Sequence, residues 1–141
     1  MATGHAFWVT NRVANPVLRR LLRGPAGRYL GRGLMVLRYT GTVTGRPHEL
    51  VVQYARDGDT VWVLVGHAGS KTWWHNLRRA ADVEVWVAGE HARARAVVVS
   101  GSSDPEGAAA GLAVYRRAQP HAATVDPAAA TLVRADLTRT P

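Results

Sequence analysis

The sequence predicts an α+β domain in which a mostly antiparallel sheet of six short strands curls into a small barrel, with about three helices attached. Three observations carry this. Short apolar runs recur between turn signals, and some alternate strictly, as in Asp82-Val83-Glu84-Val85-Trp86-Val87. Asp57-Gly58 and Gly89-Glu90 join neighbouring runs by turns tight enough for hairpins, which makes the pairing antiparallel. No strand leads into a Gly-x-Gly-x-x-Gly helix start, so a doubly wound parallel sheet is not expected.

Taken in order, Asn15-Pro16 supplies a cap and a first-turn proline. Val17, Leu18, Leu21 and Leu22 follow at helical spacing, and Gly24-Pro25 stops the helix. A second short helical piece is predicted over Gly27 to Gly31. Leu34 to Tyr39 reads as the first strand, and Thr40 to Pro47 as a turn region with two glycines. His48 to Ala55 and Thr60 to Gly66 are the strands on either side of the Asp57-Gly58 turn. A helix is expected from Ser70 to Arg79, then a half-buried strand at Asp82–Val87. The next strand runs from His91 to Ser100, where Arg93 and Arg95 alternate with alanine. Asp104-Pro105-Glu106 opens another helix by cap, proline and early acid, Pro120 ends it, and Thr131 to Leu137 is the last strand. One domain over residues 1–141 is expected, with its N-terminal helix near 15–23 and its C-terminal helix and strand within 104–137.

Composition narrows the function. No apolar run is long enough for a membrane-spanning helix, and the N-terminus lacks the pattern of a secretory signal, so the cytoplasm is the expected compartment. Without cysteine there is no disulfide or thiolate chemistry. The formal charge is +8, and of the 18 cationic residues only Lys71 is lysine. That balance suits anionic partners, whether a phosphorylated small molecule or a membrane surface. Codon bias toward arginine and alanine explains the same numbers equally well. The arginines are scattered and do not form a groove with aromatic platforms, so specific nucleic-acid binding is not expected. The six histidines are too dispersed for a metal site, and no nucleophile–base pair is visible. Any chemistry would have to belong to a cofactor that the protein orients.

The most informative stretch is Gly66-His67-Ala68-Gly69 followed by Ser70-Lys71-Thr72-Trp73-Trp74-His75-Asn76-Leu77-Arg78-Arg79. A strand, a glycine turn and a helix capped by Ser70 would aim free backbone N–H groups at one point. His67 and Lys71 flank that point and two indoles follow it. A phosphate below and a flat aromatic ring above would suit this arrangement. Adjacent residues on a helix cannot face the same way, so one indole packs in the core and the other covers the groove. Asn76 shares a face with Trp73, and its amide either holds a ligand oxygen or bonds backbone to fix the helix.

Four pieces in this order resemble the deazaflavin-dependent nitroreductase family, split β-barrels related to the FMN-binding pyridoxamine-phosphate-oxidase-like proteins. They are Asn15-Pro16 with its leucine-rich helix, Leu37 to Pro47, Tyr54 to Asp59 leading into Val61–Val65, and Trp73-Trp74-His75-Asn76-Leu77 with Asp82–Val85. The resemblance spans roughly Asn15 to Ser100. It implies an oxidoreductase of the nitroreductase/quinone-reductase type, passing hydride from reduced coenzyme F420 to a small electron-poor acceptor. FMN, haem, another planar ligand or no cofactor are the alternatives within the same fold, and split barrels also form homodimers. Carried over residue by residue, the coenzyme would contact Thr42, Thr44, Arg46, Pro47 and His48 in the first turn. Gly66, His67, Lys71, Trp73 and Asn76 would complete its site. Tyr115 falls where family members place aromatic residues over the substrate pocket; core packing with Leu112 is the competing reading. Threonines in glycine turns also serve only to stabilise the turn. The chain has Thr42-Val43 where the family commonly carries two cations. With charged hydrogen bonds worth about 1.5–3 kcal/mol each, an anionic tail would need Arg46, His48, His67 or Lys71 to compensate.

Overall fold

Two α-helices and seven strands follow one another along residues 15–24 and 33–138, the part that the computed structural model of the protein describes. In chain order they are α1 (Asn15–Arg23), β1 (Leu34–Thr40), β2 (Pro47–Gln53), β3 (Ala55–Asp57), β4 (Thr60–Leu64), β5 (Ala81–Val87), β6 (Glu90–Ser100), α2 (Pro105–Ala118) and β7 (Thr131–Leu137). Short 3-10 turns at Ala68–Ser70 and Trp73–Leu77 connect β4 to β5. The helical piece expected over Gly27 to Gly31 lies outside the described residues.

The strands form one sheet in the order β2-β1-β5-β6-β7-β4-β3, and every neighbouring pair is antiparallel. The two edge strands, β2 and β3, are separated in the chain by Tyr54 alone, so the sheet curls until its margins meet. Here the strand expected from His48 to Ala55 breaks in two, and the count rises from six to seven. The cause is tertiary. Tyr54 N–H donates to the Gly33 carbonyl at 3.1 Å, and the Tyr54 carbonyl accepts from Gln119 Nε2 at 3.1 Å. Gln119 is buried, and its amide fixes the point where the chain leaves one edge and starts the other.

Alternation decides which residues fill the barrel. Met35, Leu37 and Tyr39 of β1, Val83, Val85 and Val87 of β5, and Val61 and Val63 of β4 point inward. The alanines of β6 (Ala92, Ala94, Ala96) join them, while Arg93 and Arg95 between them point out. On the outer face α1 lays Leu22 over Val36 and Val51. Farther round the same face, α2 packs Ala108, Leu112 and Tyr115 against Trp62 and Leu132. The α2 start is as expected: Asp104 accepts from the Gly107 N–H at 2.9 Å with Pro105 beside it. The β5–β6 hairpin turns through Ala88 and Gly89, with φ of 50° and 81°, the left-handed pair that a two-residue hairpin loop requires.

Candidate functional site

The β1–β2 turn is closed by its own backbone. Gly41 N–H donates to the Arg46 carbonyl and Gly45 N–H to the Gly41 carbonyl, both at 2.9 Å. A Cβ at Gly41 would sit 2.7 Å from Thr44 Oγ1 and 3.1 Å from His48 Nε2, so a side chain there would displace both. Thr44 Oγ1 accepts from Arg46 N–H at 3.2 Å and lies 3.4 Å from His48 Nε2. Val43 stands at the tip, 95% exposed.

A clasp then ties this turn to the β4–β5 connection, 34 residues away. Asn76 Oδ1 accepts from Thr42 N–H at 2.8 Å and from Thr42 Oγ1 at 3.1 Å. Asn76 Nδ2 donates to the Trp73 carbonyl at 2.8 Å. Both ends of the Asn76 amide thus meet backbone, at Thr42 N–H and the Trp73 carbonyl. Beneath the clasp the His48 ring stacks on Tyr39 (centroids 5.5 Å apart, planes at 25°), and Tyr39 lies 6.3 Å from the half-buried Trp73. These rings form an aromatic lip at one end of the barrel. Burial raises the Tyr39 phenol above its ordinary 10.0, which keeps it protonated and neutral.

The helix expected from Ser70 to Arg79 does not form, and Ser70 is not its cap. Lys71 is extended (φ −112°, ψ 146°), and Trp73–Leu77 is a five-residue 3-10 turn. Two side chains decide this. Asn76 takes the Trp73 carbonyl that an α-helix would give to the Leu77 N–H. Both indoles pack on the barrel core, and Trp74 Nε1 also donates to the Ala68 carbonyl at 3.0 Å, which binds the turn to the preceding loop. So short a turn has no macrodipole to grip an anion. His67, in the left-handed region at φ 53°, offers its carbonyl to Ser70 N–H and Oγ at 2.9 and 3.0 Å. His67, Lys71, Arg78 and Arg79 are exposed, and a Cβ at Gly66 or Gly69 would meet nothing within 4 Å. The loop is therefore an open, basic surface beside the clasp.

Of the residues singled out, Thr42, Thr44, Arg46, Pro47, His48, Trp73 and Asn76 gather at the clasp, with Gly66, His67 and Lys71 on the adjoining loop. Tyr115 does not join them. It is 2% exposed, under α2 in the cluster with Trp62, Leu112 and Leu132, on the opposite side of the sheet from the barrel core. Leu112 and Tyr115, one helical turn apart, both face the sheet there, so the core reading holds. Burial pushes its phenol from 10.0 to about 12. The unfolded chain ionises first, so this contribution is fully present below pH 10 and is lost as pH rises toward 12, by roughly 2–3 kcal/mol. Denaturant midpoints taken at about pH 9 and about pH 11 should fall more for the wild type than for Tyr115→Phe.

A cleft of about 580 Å³ opens on the outer face of β1, β5 and β6. Arg38, Thr40, Asp82, Glu84 and Arg93 line it, and Pro47 belongs to its wall. Sequence reasoning missed it. The alternation in β6 shows that Arg93 faces outward, but only the strand order brings it near Arg38. Among the described residues there is no cluster of metal-ligating side chains and no helix long and apolar enough to cross a membrane.

The model of the family described as F420H(2)-dependent quinone reductase matches residues 10–126. The chain belongs to that family. The F420H(2)-dependent quinone reductase of Mycobacterium tuberculosis (strain CDC 1551 / Oshkosh) is 32% identical over 90 residues, covering 55% of this chain and 60% of the relative. The chain thus spans about 60% of the length of the curated relatives it matches. A solved structure described as an F420-H2 dependent reductase (FDR-A) superposes with a TM-score of 0.60 at 13% identity, over 74% of this chain and 95% of that one. A pyridoxinephosphate oxidase family protein from Clostridium acetobutylicum, related to general stress protein 26, gives 0.54 at 10% identity over 84% of each chain. At these identities the structures speak for the fold, and this family member has the split barrel that the sequence predicts.

Proposed function

We propose that the protein is an F420H2-dependent oxidoreductase acting on a small, electron-poor acceptor such as a quinone or nitroaromatic. The observation that supports it most is the Thr42–Asn76 clasp, which lies inside the family-matched segment and holds a polar turn beside an aromatic lip. The residues present fit the coenzyme's parts. Thr44, Arg46, His48, His67 and Lys71 are exposed around the clasp, with donors for phosphate and carboxylate oxygens. His48 and the half-buried Trp73, backed by the buried Tyr39 ring, offer ring surface to a flat heterocycle. When bound, the reduced deazaflavin supplies the hydride.

The chain's own part is to bind, orient and exclude water. Asn76 acts as a positioning residue, since both ends of its amide are engaged by Thr42 and Trp73. Arg46 and Lys71 carry the electrostatic load that the Thr42-Val43 tip lacks.

Fluorescence titration with the coenzyme tests the reading. Saturable binding with a Kd on the order of 10 μM or tighter, about −7 kcal/mol, is expected. Arg46→Ala should weaken it by roughly five- to tenfold without lowering thermal stability, because the side chain is exposed. No binding at ten times that concentration would sink the proposal.

A further inference from the structure

Two segments meet at the Thr42–Asn76 clasp, residues 41–48 and 66–80, and neither contains an acid. Between them they carry four permanent cations, Arg46, Lys71, Arg78 and Arg79, all exposed. None of the four makes an ion pair among the described residues. The acids that border the two segments are engaged elsewhere, Glu49 by Arg19 and Arg23, and Asp82 by Arg95. Arg46 and Lys71 serve the coenzyme in the reading above. Arg78 and Arg79 have no part in it.

An apolar side chain projects beside these charges. Val43, at the tip of the β1–β2 turn, is 95% exposed, against 41% for Leu21, the other large apolar side chain in the open among the described residues. A single exposed apolar residue is ordinary on a protein surface, but this one stands on a braced support. The turn is closed by the Gly41 and Gly45 N–H bonds and tied to Asn76 through Thr42, the residue before Val43. Burying such a preorganised tip in a partner costs little ordering. On the adjoining loop the Arg78 guanidinium lies 5.2 Å from the centroid of the half-buried Trp74 ring, which His75 meets edge-on at 4.1 Å.

A projecting apolar tip among unpaired cations is complementary to an anionic bilayer, whose phosphates meet the charges while the tip enters the acyl boundary. Nucleic acid fits less well, because Val43 adds nothing to a phosphate backbone. A folded protein partner also fits less well, because one side chain is not an apolar patch. We infer that this face docks on an anionic lipid surface, with Val43 entering the interfacial region and Arg78 and Arg79 pairing with lipid phosphates. The docking is independent of the F420 reading. Its consequence rests on that reading: the clasp and its aromatic lip then lie next to the bilayer, in which an apolar quinone dissolves.

Cosedimentation with vesicles tests the docking, using phosphatidylcholine alone and phosphatidylcholine with about 30 mol % phosphatidylglycerol. The wild type should bind the anionic vesicles and not the neutral ones, and affinity should fall as salt rises from about 0.1 to about 1 M. Arg78→Gln and Arg79→Gln should each weaken binding by roughly fivefold, the worth of one cation at such a surface. Val43→Asp should weaken it further than either, and Val43→Trp should strengthen it, since indoles favour the interface. Arg117→Gln, the same charge change exposed on α2, should have little effect. All five positions are exposed or lie at the tip, so melting curves should match the wild type. Binding that ignores Val43 and falls equally for every arginine, Arg117 included, is adsorption by net charge and overturns the docking face. Absence of wild-type binding to the anionic vesicles overturns it too, as does binding to duplex DNA that outlasts vesicle binding when salt is raised. Coenzyme titration of the same proteins reads out separately: its failure removes the quinone consequence and leaves the docking in place.

Discussion

Asn76→Ala is expected to weaken coenzyme binding by at least about tenfold and to lower Tm by roughly 5–10 °C. The side chain makes three hydrogen bonds at once, two from Thr42 and one to the Trp73 carbonyl. At about 0.5–1.5 kcal/mol net for each, their loss costs about 2–3 kcal/mol in a partly exposed setting. The binding loss has a separate origin: without the clasp, Thr44, Arg46 and His48 are no longer held against the β4–β5 loop. Asn76→Asp separates the two effects. It keeps the acceptor toward Thr42, loses the donor toward Trp73, and places a negative charge beside the proposed anion contacts, so affinity should suffer more than stability. Binding lost at an unchanged Tm in Asn76→Ala would mean that the amide touches the coenzyme and that the clasp is incidental.

Tyr115→Ala should destabilise the protein by about 3–5 kcal/mol, enough to consume much of the stability of a domain this size. The phenol ring is enclosed by α2 and the β4–β7 surface with Trp62, Leu112 and Leu132 around it, and the barrel strands stand between it and the clasp. Tyr115→Phe should leave coenzyme binding and the acceptor KM unchanged. A shift in acceptor KM in the Phe variant at constant Tm would restore the substrate-pocket role that the family resemblance suggests. Melting curves and steady-state kinetics on the same two proteins decide it.

Where the sequence alternates, it could be read almost to the residue. Thr131–Leu137, Ala81–Val87 and Glu90–Ser100 each put small or branched apolar side chains on the barrel face and mostly polar ones on the other, where Leu132, Trp86 and Val99 are the apolar exceptions that meet the outer clusters, and each is a strand over nearly the span expected. The misreadings share a cause: a partner distant in sequence. Nothing local to His48–Ala55 marks Tyr54 as a break, because the break is made by Gly33 and Gln119. The stretch after Ser70 has a cap residue, yet the bonds of Asn76 to the Trp73 carbonyl and of Trp74 to the Ala68 carbonyl hold it in a tighter turn. The candidate site behaves likewise. Its residue types were visible in the turn and the loop, but their meeting through Thr42 and Asn76 was not. Nor was the nearness of Arg38 to Arg93 across β5, which depends on strand order alone.

That order has a bearing on how the molecule is made. The last strand, β7, lies between β6 and β4, so the β3–β4 hairpin has no neighbour on its inner side until β7 arrives. A chain emerging from the ribosome can assemble β2, β1, β5 and β6 early, but it carries that hairpin as an unfinished, sticky intermediate until Thr131–Leu137 has emerged. Pairings this remote along the polymer also make for slow acquisition of the native state. Expression yield should therefore be unusually sensitive to trimming within Thr131–Leu137, and helper proteins that shield nascent hydrophobic surface should raise it.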